Sequence, residues 1–206
     1  MRLKRYSLIC LGLMACAPLW ASQDQNAVYI GVDGGWSLPS QSPSLAHYSS
    51  GNQSLTYGGT LGYQMVVGKN LATSVETNYS QFGQANYSGN ASAGNGSGSF
   101  KNSAIQVLLT GTYLMGDGFN TFLKVGAAHE QSSLDLANNT MGVAGWIPAV
   151  AAGLGYELVK NFDLYAQYER TFGDNWENAS TSTGGGPDHP VSLNVLTMGV
   201  NYTLPI

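Results

Sequence analysis

Six ionisable residues, Asp33, Glu76, Lys124, Glu130, Glu157 and Glu169, fall at alternate positions of extended apolar–polar segments, on the side opposite the aliphatic residues. Five carboxylates and one ammonium turned toward a common interior must pair with one another or meet trapped water. Lys124 is the one lysine well inside such a segment. A hairpin centred near Asn139 to Met141 would bring it opposite Glu157. The expected arrangement is a Lys124–Glu157 ion pair, shared with Glu76 or Glu169, that plugs a narrow interior. The plainer alternative is that these groups only solvate one another and gate nothing.

Nucleophilic and metal chemistry find less support. Three histidines are present, His47, His129 and His189, well separated along the chain. His129 stands beside Glu130 and three residues before Ser132, but a nucleophile–base–carboxylate set needs its members within hydrogen-bond reach. Neighbouring residues of a strand point to opposite sides, so Glu130 is not placed to orient His129. Three scattered histidines also make no metal site, and no residue cluster implies a cofactor. Gly184-Gly185-Gly186 lacks the Lys-Ser/Thr and the helix of a phosphate loop.

What positions these residues begins with a leader. Arg2, Lys4 and Arg5 precede an apolar run from Tyr6 to Ala17, and Pro18-Leu19-Trp20-Ala21 offers a cleavage site before polar Ser22-Gln23-Asp24-Gln25. This reads as a secretory signal peptide, residues 1–21, ahead of one domain over 22–206. An alternative cut before Cys16, in Leu13-Met14-Ala15-Cys16, would leave a lipidated cysteine. Both cysteines, Cys10 and Cys16, lie in the leader, so cleavage after Ala21 leaves no disulfide and no thiol. It also leaves 5 basic and 12 acidic residues, a net of −7, which argues against a nucleic-acid partner. Only 10% of the chain is charged, where a water-exposed surface carries about 25–35%. A lipid-facing surface excludes charge for that reason.

No apolar run of about twenty residues follows the leader, and apolar residues recur at spacing two rather than at three and four. Eight extended segments are expected: 27–38, 55–66, 71–83, 101–115, 121–131, 145–159, 164–172 and 191–204. Three connections are tight, Val67 to Asn70, Gly116 to Asn120 and Lys160 to Asp163. The other four are long and rich in Ser, Gly and Asn. This alternation predicts an all-β, eight-stranded, antiparallel up-and-down transmembrane barrel, with short periplasmic turns, long external loops and both termini in the periplasm.

Parity then assigns faces. Val28, Ile30, Val32 and Trp36 oppose Tyr29, Gly31, Asp33 and Gly35; Leu196, Met198, Val200, Tyr202 and Leu204 oppose Thr197, Gly199, Asn201 and Thr203. Aromatics on the aliphatic side gather at segment ends. Trp36, Tyr79, Trp146 and Tyr168 would form an outer girdle, and Tyr63, Tyr113, Tyr156 and Tyr202 a periplasmic one. The opposite side is small, polar or charged, unlike the core of a soluble barrel.

The first segment, Val28 to Trp36, resembles the first strand of the outer-membrane-protein-A-like small barrels, and so does the hairpin from Gly58 through Tyr79. Thr197-x-Gly199-x-x-Tyr202-x-Leu204 is similar to that family's terminal-strand signal for the barrel assembly machinery, although Pro205-Ile206 follow it. The resemblance implies a polar internally bonded plug; the leader and strand pattern lead to a Gram-negative outer-membrane location amid lipid and lipopolysaccharide, and the scattered histidines to an expectation of no enzymatic activity. The peptidoglycan-binding domain of many relatives is not expected here. The leading expectation is a structural or adhesin-like surface protein whose loops, carrying Tyr48, Tyr87 and Trp176, meet a host or extracellular ligand. A narrow passive channel or conduit for small hydrophobic molecules is the alternative, followed by a lipid-modifying enzyme.

Overall fold

A computed structural model describes residues 26–39, 54–87, 98–136, 139–173, 190 and 192–206. The leader, His47, Tyr48, Trp176, Gly184 to Gly186 and His189 lie outside these residues. Eight strands follow in order: β1 (Ala27–Pro39), β2 (Ser54–Gly68), β3 (Leu71–Tyr87), β4 (Gly98–Gly116), β5 (Phe119–Leu136), β6 (Asn139–Val159), β7 (Phe162–Thr171) and β8 (Leu193–Pro205). Each pairs antiparallel with its neighbours, and β8 closes on β1.

The pairing fixes the pitch of the barrel. From Ala27 the partners run through Gln64, Ser74, Thr110, Lys124, Ala151, Glu169 and Val195, and return to β1 at Ser37, ten residues on. That stagger goes with a strand tilt of about 35–45°, and eight strands leave an interior that side chains can fill.

Three two-residue turns share one end of the barrel with both ends of the strand series. Each follows a one-residue register shift, at Val66/Gly68, Leu114/Gly116 and Glu157/Val159. In the second, Asp117 (φ 52°) and Gly118 (φ 82°) both take the left-handed conformation. That combination matches the right-handed twist of the flanking strands, and Asp-Gly is a pair that adopts it readily. Asn161 (φ 72°) does the same work in the third.

The opposite end differs from expectation. Segments 84–100 and 132–144 were expected to be loops, yet β3 runs to Tyr87, β4 starts at Gly98, and β5 and β6 pair out to Leu136 and Asn139. Residues 137–138 are all that remains of the third long connection. Ser, Gly and Asn weaken strand propensity, but each still supplies a backbone donor and acceptor for the ladder. A bulge at Gly83 (φ 73°) shifts the β3–β4 register between Gln81 and Gln84 and carries that hairpin outward.

Outward positions are aliphatic and exposed, among them Ile30, Val32, Leu61, Val75, Leu109, Leu123, Leu154 and Met198. Trp36, Tyr79, Trp146 and Tyr168 ring the loop end of this band, and Tyr63, Tyr113 and Tyr156 the turn end. Phe119 and Phe162 thicken the lower ring, their rings 4.7 and 4.8 Å from Tyr156 and Tyr202. An apolar surface this continuous would aggregate in water. Between two aromatic girdles it is the signature of a barrel in a bilayer.

Candidate functional site

Inward residues change character along β4, β5 and β6 in the same sense. Read from the turn end, β5 carries Asn120, Phe122, Lys124, Ala128, Glu130 and Ser132. Down the opposite way, β4 gives Thr112, Thr110, Leu108, Gln106, Ala104 and Asn102, and β6 gives Gly153, Ala151, Ala149 and Ile147. The lumen is thus stacked in layers: a polar, partly open mouth, an ionic centre, an apolar layer, and a polar cap.

The ionic centre is built on Lys124. Its Nζ lies 2.6 Å from Glu76 Oε1, both side chains nearly inaccessible. Tyr29 donates its hydroxyl to the other oxygen of Glu76 at 2.6 Å, and stands 3.2 Å from Ser74 Oγ. The ammonium also sits over the rings of Phe122 and Tyr165, 5.1 and 5.7 Å from their centroids. Such faces are negative and add to its stabilisation. Tyr165 in turn donates to Asp33 Oδ2 at 3.2 Å. One buried cation is therefore held by one carboxylate and two aromatic faces.

Glu157 does not take part. The β5–β6 pairing closes on Leu136 and Asn139, nearer the N-terminus than expected, so Lys124 stands opposite Ala151 rather than Glu157. Glu157 lies beside the periplasmic-type turn, cross-strand from Asp163, and Gly118 O accepts a hydrogen bond from its backbone N–H. The register error came from centring the hairpin on Asn139 to Met141, two to three residues too far along. Glu76, one of the two other partners considered, is the one that pairs with Lys124, reaching it from β3 past the intervening β4. Glu169 is engaged separately: Gln106 Nε2 donates to its Oε1.

Phe82, Ala104, Leu108, Ala128, Ile147, Ala149, Leu193 and Val195 form one packed cluster, none more than 4% exposed; Leu108 stands cross-strand from Glu76, and the other seven lie above the ionic centre. Only polar, small and charged groups were expected inside, and this layer is the main feature that expectation missed. The run Val107-Leu108-Leu109, apolar on both parities, is its trace in the sequence. Over it, Glu130 is fully buried and accepts from Asn102 Nδ2 and from Thr171 Oγ1 at 3.4 Å. Thr171 Oγ1 also accepts from the Leu193 N–H at 3.0 Å.

His129 is on the other face of β5. It packs edge-on against Trp146, ring centroids 5.2 Å apart, at the outer girdle, while Glu130 and Ser132 point into the lumen. The barrel wall separates the three. Among the described residues no group of three or more His, Cys, Asp or Glu is arranged to hold a metal ion.

Of the terminal-strand residues, Thr197 is buried in the lumen, Leu204 faces outward, and Tyr202 packs on Phe162 at the turn end. Gly199 pairs with Tyr165, and a Cβ on it would stand 2.5 Å from that ring.

Residues 7–203 match the family described as outer membrane protein beta-barrel domain. The chain belongs to that family. Short turns therefore face the periplasm and the long hairpins the exterior of a Gram-negative outer membrane. Among solved structures, the attachment invasion locus protein Ail of Yersinia pestis is 13% identical, with 87% of this chain and 98% of that one covered at a TM-score of 0.52. Neisserial surface protein A is 16% identical, covering 86% and 97% at 0.51. The N-terminal β-barrel domain of Pseudomonas aeruginosa OprF is 15% identical, covering 87% and 98% at 0.53. At these identities the likeness is one of fold. No curated protein matches the chain.

Proposed function

We propose that the protein is a non-enzymatic surface-interaction scaffold, a closed barrel that holds its external hairpins rigidly above the membrane. The observation that carries this reading is the length of β5 and β6, 18 and 21 residues, where about ten suffice to cross a bilayer. Continued pairing well beyond the outer girdle makes a stiff ribbon instead of a loop, and rigid display lowers the entropic cost of binding. A lumen closed by packed side chains above its periplasmic half supports the same reading, because a scaffold needs no passage.

The chemistry of the partner is narrowed by charge. Ail has been crystallised with the heparin analogue sucrose octasulfate. Here the external half presents two cations among the described residues, Lys101 on β4 and Arg170 on β7, on well-separated strands. Arg170 moreover stacks over Phe172 at 5.3 Å. A polyanion would find no basic patch on this surface, so a neutral or basic protein ligand suits it better. Within the membrane the outer aromatic girdle meets lipid and lipopolysaccharide. Folding proceeds through the barrel assembly machinery, for which Thr197, Gly199, Tyr202 and Leu204 on β8 are the recognition candidates.

Cells displaying the protein should bind extracellular-matrix protein or host cells, and replacing residues 132–143 by a short Gly-Asn turn should abolish that binding. Undiminished binding by the trimmed barrel would refute the scaffold reading. A narrow channel is the second reading, favoured by the open periplasmic half of the lumen; it requires steady conductance in planar bilayers. A lipid-modifying activity requires altered lipid A on overproduction, lost in His129→Ala.

A further inference from the structure

The lumen contains a cavity of about 70 Å³. Its walls include Tyr29, Gln64, Thr112, Asn120, Asp163 and Thr203, with Glu76, Lys124 and Tyr165 toward its inner end. All lie in the periplasmic half of their strands. None of the eight residues of the apolar cluster lines it. Two polar atoms in its wall, Thr110 Oγ1 and Asn201 Oδ1, find no protein partner. Buried polar atoms of this kind are ordinarily satisfied by water, and a cavity of this size holds several molecules.

The other end is different in kind. Directly beyond the Gln106–Glu169 contact, inward positions on β3, β4, β5, β6 and β8 become Phe82, Ala104, Ala128, Ala149 with Ile147, and Val195 with Leu193. Five of the eight strands thus contribute apolar side chains to one level, while β1 and β7 face it with buried Ser37, paired with Val195, and Thr171, paired with Ala149. Both hydroxyls are bonded within the protein, Ser37 to the Ser54 and Phe82 carbonyls and Thr171 to Glu130, so they offer water little, and a constriction of this type blocks ions by dewetting, whatever the charges beside it do.

We propose that the lumen is a one-ended aqueous vestibule: water and small polar solutes of the periplasm reach the Lys124–Glu76 pair, and the apolar layer above it is the barrier to the exterior. The ion pair is then the floor of a pocket and not its gate. This rests on the closed-lumen reading above and goes further by naming the layer that closes it.

Single cysteines at Thr112, in the vestibule wall, and at Ala149, in the layer, test this in the full chain carrying Cys10→Ser and Cys16→Ser. The protein is placed in lipid vesicles, and a small charged methanethiosulfonate reagent is supplied to both faces, so orientation does not matter. Thr112→Cys should react at least about tenfold faster than Ala149→Cys. Equal rates, or a faster Ala149→Cys, would overturn the proposal.

Conductance supplies the second arm. Lys124→Met/Glu76→Met should leave planar bilayers without steady current, while Ile147→Ala/Leu193→Ala should produce it. Current through the neutralised pair with an intact layer would also overturn the proposal. Should the alanine variant not fold, judged by circular dichroism, the labelling comparison decides alone. Steady current through the unmodified chain would instead remove the closed-lumen reading itself.

Discussion

Replacing Lys124 by methionine removes the one lumenal cation of the described strands and leaves Glu76 buried, with Tyr29 as its remaining hydrogen-bond donor. At 2.6 Å and an effective dielectric of about 20, the Coulomb attraction between Lys124 and Glu76 is about 6 kcal/mol. Desolvation of two groups with side chains 9% and 2% exposed offsets part of that. Removing one partner of such a pair costs about 3–5 kcal/mol, most of it from the charge left behind. The Tyr29 hydroxyl, still donating to the carboxylate, contributes about 1.5–3 kcal/mol as a bond to a charged group and keeps the loss near the lower bound. Neutralising both partners, Lys124→Met/Glu76→Gln, should recover most of the loss. Reversible denaturant unfolding in lipid bilayers measures both variants, and the double-mutant cycle isolates the coupling. If Lys124→Met lies within about 1 kcal/mol of the parent, the ion pair does not organise the lumen and the reasoning fails.

Leu109 lies midway between the Tyr113 girdle position and Ile105, the partner of outer-girdle Tyr79, on the outward side of β4, so Leu109→Arg should cost about 2–4 kcal/mol in a bilayer, measured by the same unfolding equilibrium. In the second turn Gly118 sits at φ 82°, and Gly118→Ala should cost about 1–2 kcal/mol without altering the β4–β5 register. Backbone amide exchange would report the change as faster exchange confined to that hairpin.

Face assignment was legible because lipid and lumen make opposite demands at every second residue. Val28 to Trp36 could not be shifted by one position without turning Asp33 to lipid. Turn positions were legible too, since Asp117-Gly118 and Asn161 name their own backbone conformation. Extent was not. Ser132, Ser133, Asn139 and Thr140 have the composition of a loop, and only their partners on the facing strand make them a ribbon. The Lys124–Glu157 pairing failed separately, because nothing local in so uniform a stretch marks the centre of the hairpin, and a centre displaced by three residues moves the partner by six. The apolar layer was hidden for another reason. Its members come from five strands, one or two per strand, so no local window displays it; Ile147 and Leu193 look like ordinary barrel residues until closure brings them to one level. Glu76 and Lys124 meet by the same long-range route.

Parity alone leaves one ambiguity that the barrel must resolve. A slip of two residues keeps every side chain on its proper face, so the apolar–polar alternation cannot prevent it. Bulky inward residues paired directly with glycine can. Tyr29 stands opposite Gly62, Phe122 opposite Gly153, and Tyr165 opposite Gly199. In each pair a Cβ on the glycine would come within 2.6 Å of the facing ring, closer than atoms can pack. A two-residue slip at β7–β8 would set Tyr165 against Thr197 or Asn201, side chains that fill the space its ring needs. Ring and glycine thus act as a key for register, and the same pairing aims Tyr29 and Tyr165 at Glu76 and Asp33. Gly199→Ala should then cost about 1–3 kcal/mol by overpacking. Gly111, around which a Cβ would meet nothing within 4 Å, is the matched control, and Gly111→Ala should be close to neutral. If the two substitutions had equal effects in bilayer unfolding, glycine would serve assembly or flexibility at position 199, and the packing account of register would be wrong.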